Sequence, residues 1–193
     1  NLSAKSAILM EASTGTVLME HNPDEKLSPA SITKVMTILL TFEALDTGKI
    51  ALEDKVTASR NASSKGGSQI WLKEGEVMTV HELLKATVIA SANDACTALG
   101  EYIAGDEISF VSLMNERAKE LGMNNTSFEN CSGLDDTVTN HYSTARDVAI
   151  MSCELMKHKK VKEYTTIWMD SLRDGDTQLV NTNKLIRYYD GAT

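Results

Sequence analysis

The pattern of apolar and polar positions predicts strands at both ends of the chain and helices between them. Apolar runs at residues 7–11 and 16–20 flank a Ser-Thr-Gly turn, which predicts a β-hairpin. Near the other end, residues 165–169 and 177–180 flank Arg-Asp-Gly-Asp at 173–176, which predicts a second hairpin. We therefore expect an α+β fold, with a helical cluster packed on one antiparallel sheet built from both chain ends.

Apolar residues at helical spacing predict helices through the middle of the chain. Ser28 suits the N-cap of the first helix, Pro29 suits its first position, and Gly48 stops it. Further helices are expected at residues 79–90, 95–104, 110–121 and 144–156. A small, polar stretch at residues 57–69 predicts a surface loop.

Composition and charge narrow the classes of function. A net charge of −8 argues against nucleic acid as a partner, because phosphate binding requires a basic surface. No apolar run reaches the roughly 18 residues that a membrane helix needs. Cys96, Cys131 and Cys153 match no metal or redox spacing, and Cys96 is expected to be a small core residue.

Other sets of catalytic residues fail on inspection of the sequence. The Gly-x-Ser-x-Gly segment of the α/β-hydrolases does not occur. His81 and Glu82 begin like a zinc-binding His-Glu-x-x-His segment, but position 85 is Lys. The remaining histidines are scattered and are expected to be surface or hydrogen-bonding residues; they are His21, His141 and His158.

One Ser-x-x-Lys segment remains, formed by Ser31 and Lys34. Chance alone expects about one such match in a chain of this composition, so the segment matters only through its placement. Ser31 falls in the first predicted helical turn, where free backbone N–H groups favour an oxyanion, and Lys34 lies on the same face. Lys34 can act as a base if burial lowers its pKa; the alternative is a solvated lysine at a helix start.

The chain also contains two Ser-x-Asn segments, against about one expected by chance. Ser59 and Asn61 lie in the polar loop, where both residue types are common in turns. Ser91 and Asn93 interrupt two apolar helices and are better placed to enter a cleft. Ser91 could relay a proton and Asn93 could hold a peptide group, although both are also ordinary helix-capping residues.

With these segments in place, the chain resembles a known family. Residues 27–37, Leu-Ser-Pro-Ala-Ser-Ile-Thr-Lys-Val-Met-Thr, are similar to the nucleophile segment of the low-molecular-weight penicillin-binding proteins, the D-alanyl-D-alanine carboxypeptidases. Their Ser-x-Asn segment follows some sixty residues later, and Ser91 lies 60 residues after Ser31, which favours Ser91 and Asn93 over the loop pair. Similar segments also occur at residues 67–72, 90–95, 121–123, 133–134, 142–147 and 181–185.

The resemblance implies a β-lactamase/transpeptidase-like fold and a serine peptidase mechanism. Ser31 would attack the bond between two D-alanines of a peptidoglycan stem peptide, with Lys34 as base, Ser91 delivering a proton and Asn93 binding substrate. β-Lactams would imitate that substrate and acylate Ser31. No metal or other cofactor is implied, and the substrate places the protein outside the cytoplasmic membrane.

One departure from the family pattern concerns its third element, Lys-Thr-Gly, which this chain lacks. In the family that strand binds the substrate carboxylate and supplies an oxyanion-hole donor, whose loss typically costs roughly a hundredfold in rate. We therefore expect residues 1–193 to be a catalytic domain without its last strands, less active than a longer native form. Any membrane association would depend on segments absent from this chain.

Two alternative functions stay open at this point. A serine β-lactamase shares the Ser-x-x-Lys chemistry, but position 92 is Ala where class A enzymes carry Asp, and no Glu-x-x-Leu-Asn segment occurs. A penicillin sensor or peptidoglycan-binding module would be acylated once, or bind, without releasing D-alanine. Nitrocefin turnover and D-alanine release distinguish these alternatives from a carboxypeptidase.

Overall fold

A cluster of helices forms the centre of the molecule, with short antiparallel sheets at its periphery. The computed structural model describes residues 3–136 and 138–192. The strands are β1 Ala7–Met10, β2 Val17–His21, β3 Lys55–Thr57, β4 Val77–Thr79, β5 Met169–Leu172 and β6 Thr177–Val180. The α-helices are α1 Lys34–Asp46, α2 Arg60–Ser63, α3 Val80–Ala90, α4 Asn93–Ala104, α5 Glu107–Glu120, α6 Ala145–Leu155, α7 Val161–Thr165 and α8 Leu185–Tyr188.

Both end hairpins and the α+β class are confirmed, but the first strand of the second hairpin lies at Met169–Leu172 and not at the predicted 165–169, where α7 ends at Thr165. The strands also do not form one sheet. Within the described residues, β1 pairs only with β2, β3 with β4, and β5 with β6, all antiparallel. The reason is where the hairpins pack: β1 lies against α6, whereas β6 lies against α3. The expected single sheet from both chain ends is therefore not present in this part of the chain.

Helix α4 occupies the middle of the core and contacts α1, α3 and α5. Its approach to α5 depends on Gly100, since a Cβ there would lie 2.7 Å from the Phe110 ring. Helix α3 begins with a capping box in which Thr79 and Glu82 each bond the other's backbone N–H. Cys96, expected in the core, is fully buried.

The first helix begins later than expected. Residues Ala30–Thr33 form a 3-10 turn and α1 starts at Lys34, because Ala30 has a left-handed φ of +45° that no α-helix accommodates. Pro29, not Ser28, takes the cap position of this turn, and no side chain caps it. The helix ends at Asp46, shortly before Gly48, as predicted.

The boundaries of the other predicted helices differ less from the prediction. Helix α4 begins at Asn93, two residues early, and α5 begins at Glu107 because the Asp106 side chain caps it. The stretch at residues 57–69 is not only loop, since it contains α2 and buries Ala62 completely. Within residues 3–136 and 138–192, no helix has the length and apolarity needed to cross a bilayer.

A loop at residues 131–134 packs directly against the 3-10 turn. Gly133 has a φ of +81°, and a Cβ on it would lie 1.7 Å from the Ala30 carbonyl oxygen. The loop is fixed from the other side as well, since Thr37 Oγ1 donates to the Cys131 carbonyl oxygen at 2.7 Å. Only glycine at position 133 permits this contact.

We expect Gly133→Ala to destabilise the fold far more than Gly122→Ala. Gly122 has nearly the same φ, +79°, but a Cβ there meets no atom within 4 Å. Gly122→Ala should therefore cost only the left-handed backbone penalty of about 1–2 kcal/mol, and Gly133→Ala about 3 kcal/mol or more because of the added clash. Urea unfolding followed by circular dichroism measures both, and equal losses would contradict the packing described.

Candidate active site

Ser31 lies in the 3-10 turn, one residue after the left-handed Ala30. Ser31 is exposed, whereas Pro29 before it and Thr33 after it are buried. The turn therefore presents one hydroxyl to solvent from a segment that is anchored on both sides.

Lys34 is the first residue of α1 and is only 3% exposed. Its Nζ lies 3.2 Å from Ser31 Oγ and donates to the Ser132 carbonyl oxygen at 2.8 Å. Burial lowers the pKa of Lys34 below its ordinary value of 10.5, because the charged ammonium loses its hydration. The solvated alternative for this lysine is wrong, because the side chain is buried beside Ser31.

Thr33, which lies between Ser31 and Lys34 in the sequence, is hydrogen-bonded to a buried histidine. The backbone N–H of Glu129 donates to His141 Nδ1 at 2.9 Å, so the proton of the neutral ring lies on Nε2. That Nε2 lies 2.7 Å from Thr33 Oγ1 and donates to it. Burial lowers the pKa of His141, which keeps the ring neutral. Sequence reasoning placed His141 only among surface or hydrogen-bonding residues and missed this role.

Ser91 and Asn93 mark the break between α3 and α4. Ser91 ends α3 in a left-handed conformation, φ +56°, and its hydroxyl has no hydrogen-bond partner among the described residues. Asn93 is 5% exposed; its Nδ2 donates to the Gly66 carbonyl oxygen at 2.8 Å and its backbone N to that of Ser68 at 2.7 Å. Its Oδ1 is buried and has no hydrogen-bond partner among the described residues, so this acceptor is unsatisfied.

Asp94, beside the break between α3 and α4, binds the backbone of the segment at residues 66–72. The sequence analysis did not predict a role for Asp94. The fully buried Asp94 carboxylate accepts the backbone N–H groups of Ile70, at 3.1 Å, and Leu72, at 2.9 Å. A Cβ on Gly67 would lie 2.8 Å from Asn93 Nδ2. Glycine there is what allows the segment to lie so close to the amide.

The competing sequence segments have structural roles. Ser59 caps α2 and donates to Glu101 at 2.6 Å, and Asn61 also donates to Glu101, at 2.8 Å. Glu82 belongs to the capping box of α3, and His81 Nδ1 lies 2.7 Å from the Tyr164 hydroxyl. These contacts account for the loop Ser-x-Asn and for the incomplete zinc segment.

Comparison with known proteins identifies the family of this chain. The family model described as D-alanyl-D-alanine carboxypeptidase matches residues 1–192. The chain is 53% identical over 192 residues to D-alanyl-D-alanine carboxypeptidase DacF of Bacillus subtilis strain 168, covering 98% of this chain and 49% of that protein.

Solved structures share the fold. Penicillin binding protein 5 from Haemophilus influenzae is similar with a TM-score of 0.89 and 31% identity, covering 97% of this chain and 55% of that one. Penicillin-Binding Protein D2 from Listeria monocytogenes, in its cefotaxime-bound form, has a TM-score of 0.87 and 32% identity, covering 99% of this chain and 77% of that one.

The chain spans about half the length of the curated relatives it matches. The family model spans residues 1–192 and so extends over both Ser31 and Asn93. The chain therefore belongs to the D-alanyl-D-alanine carboxypeptidase family and has the fold of the low-molecular-weight penicillin-binding proteins.

Proposed function

We propose that the protein is a serine-type carboxypeptidase that removes the terminal D-alanine from peptidoglycan stem peptides, with residues 1–193 as its catalytic domain. The observation that carries this proposal is a buried lysine amine 3.2 Å from an exposed serine hydroxyl, in a chain of this family. Stem peptides lie outside the cytoplasmic membrane, so the proposed site of action is there.

In the first step, Ser31 Oγ attacks the carbonyl carbon between the two D-alanines while the neutral Lys34 amine accepts the hydroxyl proton. The peptide C–N bond then breaks and an acyl ester on Ser31 forms. The leaving amine takes up the proton that Lys34 accepted, for which the Ser91 hydroxyl is the proposed relay, so Lys34 is neutral again before the second step. Its lack of a partner among the described residues leaves it available for that contact.

In the second step, water attacks the ester carbonyl, and Ser31 recovers its proton as the shortened peptide leaves. Lys34 serves as base again, because its hydrogen bond to the Ser132 carbonyl fixes the amine beside Ser31 through both steps. Asn93 is the proposed residue that holds a substrate peptide group. Its buried Oδ1 would accept a substrate N–H after the amide turns toward the substrate, which would supply its missing hydrogen bond.

β-Lactams are the proposed inhibitors of the same serine. Relatives of this fold from Listeria monocytogenes are described in ampicillin-bound and cefotaxime-bound forms. A strained lactam carbonyl in place of the substrate carbonyl would acylate Ser31 by the first step and stall before the second.

Incubation with benzylpenicillin should add one whole drug mass to the wild-type protein and none to Ser31→Ala. The matched control is Ser28→Ala, an exposed serine three residues earlier, which should still be acylated. Intact-mass spectrometry measures the adduct on the wild-type protein and on both variants. An adduct that persists in Ser31→Ala, or no adduct on a native form that carries a Lys-Thr-Gly segment, would overturn the assignment.

Acylation should become faster as pH rises. Because burial lowers the pKa of Lys34, the neutral base accumulates with increasing pH and the rate should level off above a midpoint below 10.5. Lys34→Met should lose about a hundredfold or more in rate, whereas Lys119→Met, an exposed lysine on α5, should not. Stopped-flow acylation by nitrocefin over a pH series provides the measurement, and a rate that falls with rising pH would contradict Lys34 as base.

Release of free D-alanine separates the proposed activity from its alternatives. A carboxypeptidase releases D-alanine from a peptide ending in D-Ala-D-Ala over many turnovers and hydrolyses nitrocefin slowly. Fast nitrocefin turnover would instead identify a β-lactamase, and acylation without D-alanine release would identify a sensor.

A further inference from the structure

Trp71 combines high solvent exposure with an unfavourable backbone conformation. The residue is 73% exposed, and its φ of +59° lies in the left-handed region that aromatic residues rarely adopt. An unfavourable backbone conformation in a non-glycine residue persists only where the surroundings enforce it, and such positions concentrate at functional sites.

The surroundings of Trp71 enforce this conformation through its two neighbours. Ile70 and Leu72 are both buried, and their backbone N–H groups both donate to the buried Asp94 carboxylate. The Ile70 carbonyl oxygen also accepts from Arg173 Nη1 at 2.9 Å. With the backbone fixed on both sides, the indole is held away from the core and cannot fold back onto it.

Beside the indole lies a cleft of about 780 Å³ between residues 70–76 and the β5–β6 hairpin. Its wall carries hydroxyl, amide and carboxylate groups that can donate or accept hydrogen bonds; these include Thr177, Gln178, Asp176 and Glu74. Glu76 and Arg173 neutralise one another in a 2.7 Å ion pair, and Lys73 offsets part of the remaining acidity. The lining side chains therefore carry two positive and three negative charges, and the cleft is close to neutral.

An exposed aromatic face beside hydrogen-bonding side chains is suited to a sugar ring, which offers apolar C–H groups on one face and hydroxyls at its edge. A phosphate would require a basic wall, and an ammonium group would require a more acidic one. We propose that the cleft beside Trp71 binds an N-acetylated amino sugar of the peptidoglycan glycan strand.

The position of the cleft relative to the candidate active site supports this assignment, which rests on the proposed function. The Ser68 carbonyl accepts the backbone N–H of Asn93 at 2.7 Å. Trp71 follows Ser68 by three residues, so the Cα atoms of Ser68 and Trp71 are at most roughly 11 Å apart. One short segment thus supports the asparagine proposed to bind the stem peptide and displays the indole. Contact with the glycan would favour stem peptides on the polymer over free peptides.

The chain has two tryptophans, so Trp168→Phe leaves Trp71 as the only indole reporter. The probe is a peptide-free glycan strand of alternating N-acetylglucosamine and N-acetylmuramic acid. It is titrated into the Trp168→Phe protein while the tryptophan fluorescence emission is recorded. We expect a saturable blue shift, and in sedimentation with insoluble glycan we expect Trp71→Ala to bind at least tenfold more weakly than wild type. Tyr188→Ala, an equally exposed aromatic at 71% exposure but outside the cleft, should bind as wild type does.

Several results would overturn the inference: no shift with glycan, unchanged binding by Trp71→Ala, or a shift with anionic phospholipid vesicles instead of glycan. Benzylpenicillin acylation of wild-type Ser31 is measured on the same preparation. Acylation without glycan binding means that the glycan site alone is wrong. Glycan binding without acylation of a native form that carries a Lys-Thr-Gly segment means that the catalytic proposal is wrong while the glycan site stands.

Discussion

The burial of the Lys34 amine beside Ser31 is the constraint on which the rest of the site depends. An ammonium group taken out of water is unfavourable unless polar groups surround it, and the Ser132 carbonyl supplies one such partner at 2.8 Å. That carbonyl is in place only because the 131–134 loop lies against the Ser31 turn. The loop in turn requires Gly133, whose missing side chain leaves space for the Ala30 carbonyl.

Left-handed backbone conformations at non-glycine residues recur at positions that shape the two proposed sites. Ala30 precedes Ser31, Ser91 breaks α3 from α4, and Trp71 stands beside the proposed glycan cleft. At Ser91 the break turns the chain so that α4 begins with Asn93 buried against the 66–72 segment. Each unfavourable conformation is held by neighbouring buried groups, as expected where side-chain position matters more than local stability.

Much of the fold was predictable from sequence because it follows from local patterns. The Ser-Thr-Gly and Arg-Asp-Gly-Asp turns between apolar runs predicted both hairpins, and helical spacing predicted α3 and α6 to within a residue or two. The 3-10 turn at Ala30–Thr33 was missed because Ser and Pro are equally good at opening an α-helix. The two hairpins are separate because they pack on different helices, α6 and α3. Local sequence patterns do not indicate which helix a hairpin packs against.

The candidate site was predictable only in part. Ser31 and Lys34 are neighbours on one turn, so their spacing indicated their contact, and the resemblance selected Ser91 and Asn93. The partners that set the chemistry are distant in sequence: Ser132 lies 98 residues from Lys34, and His141 lies 108 residues from Thr33. Such contacts arise from tertiary packing and leave no spacing signal in a single chain.

The most direct test of the account is the titration of the Lys34 amine itself, by NMR of lysine labelled with ¹³C at Cε and assigned with Lys34→Met. We predict that this amine loses its proton at a pH below 10.5, because burial disfavours the ammonium form. A midpoint at or above 10.5 would mean that Lys34 stays charged beside Ser31, and would contradict its role as the base.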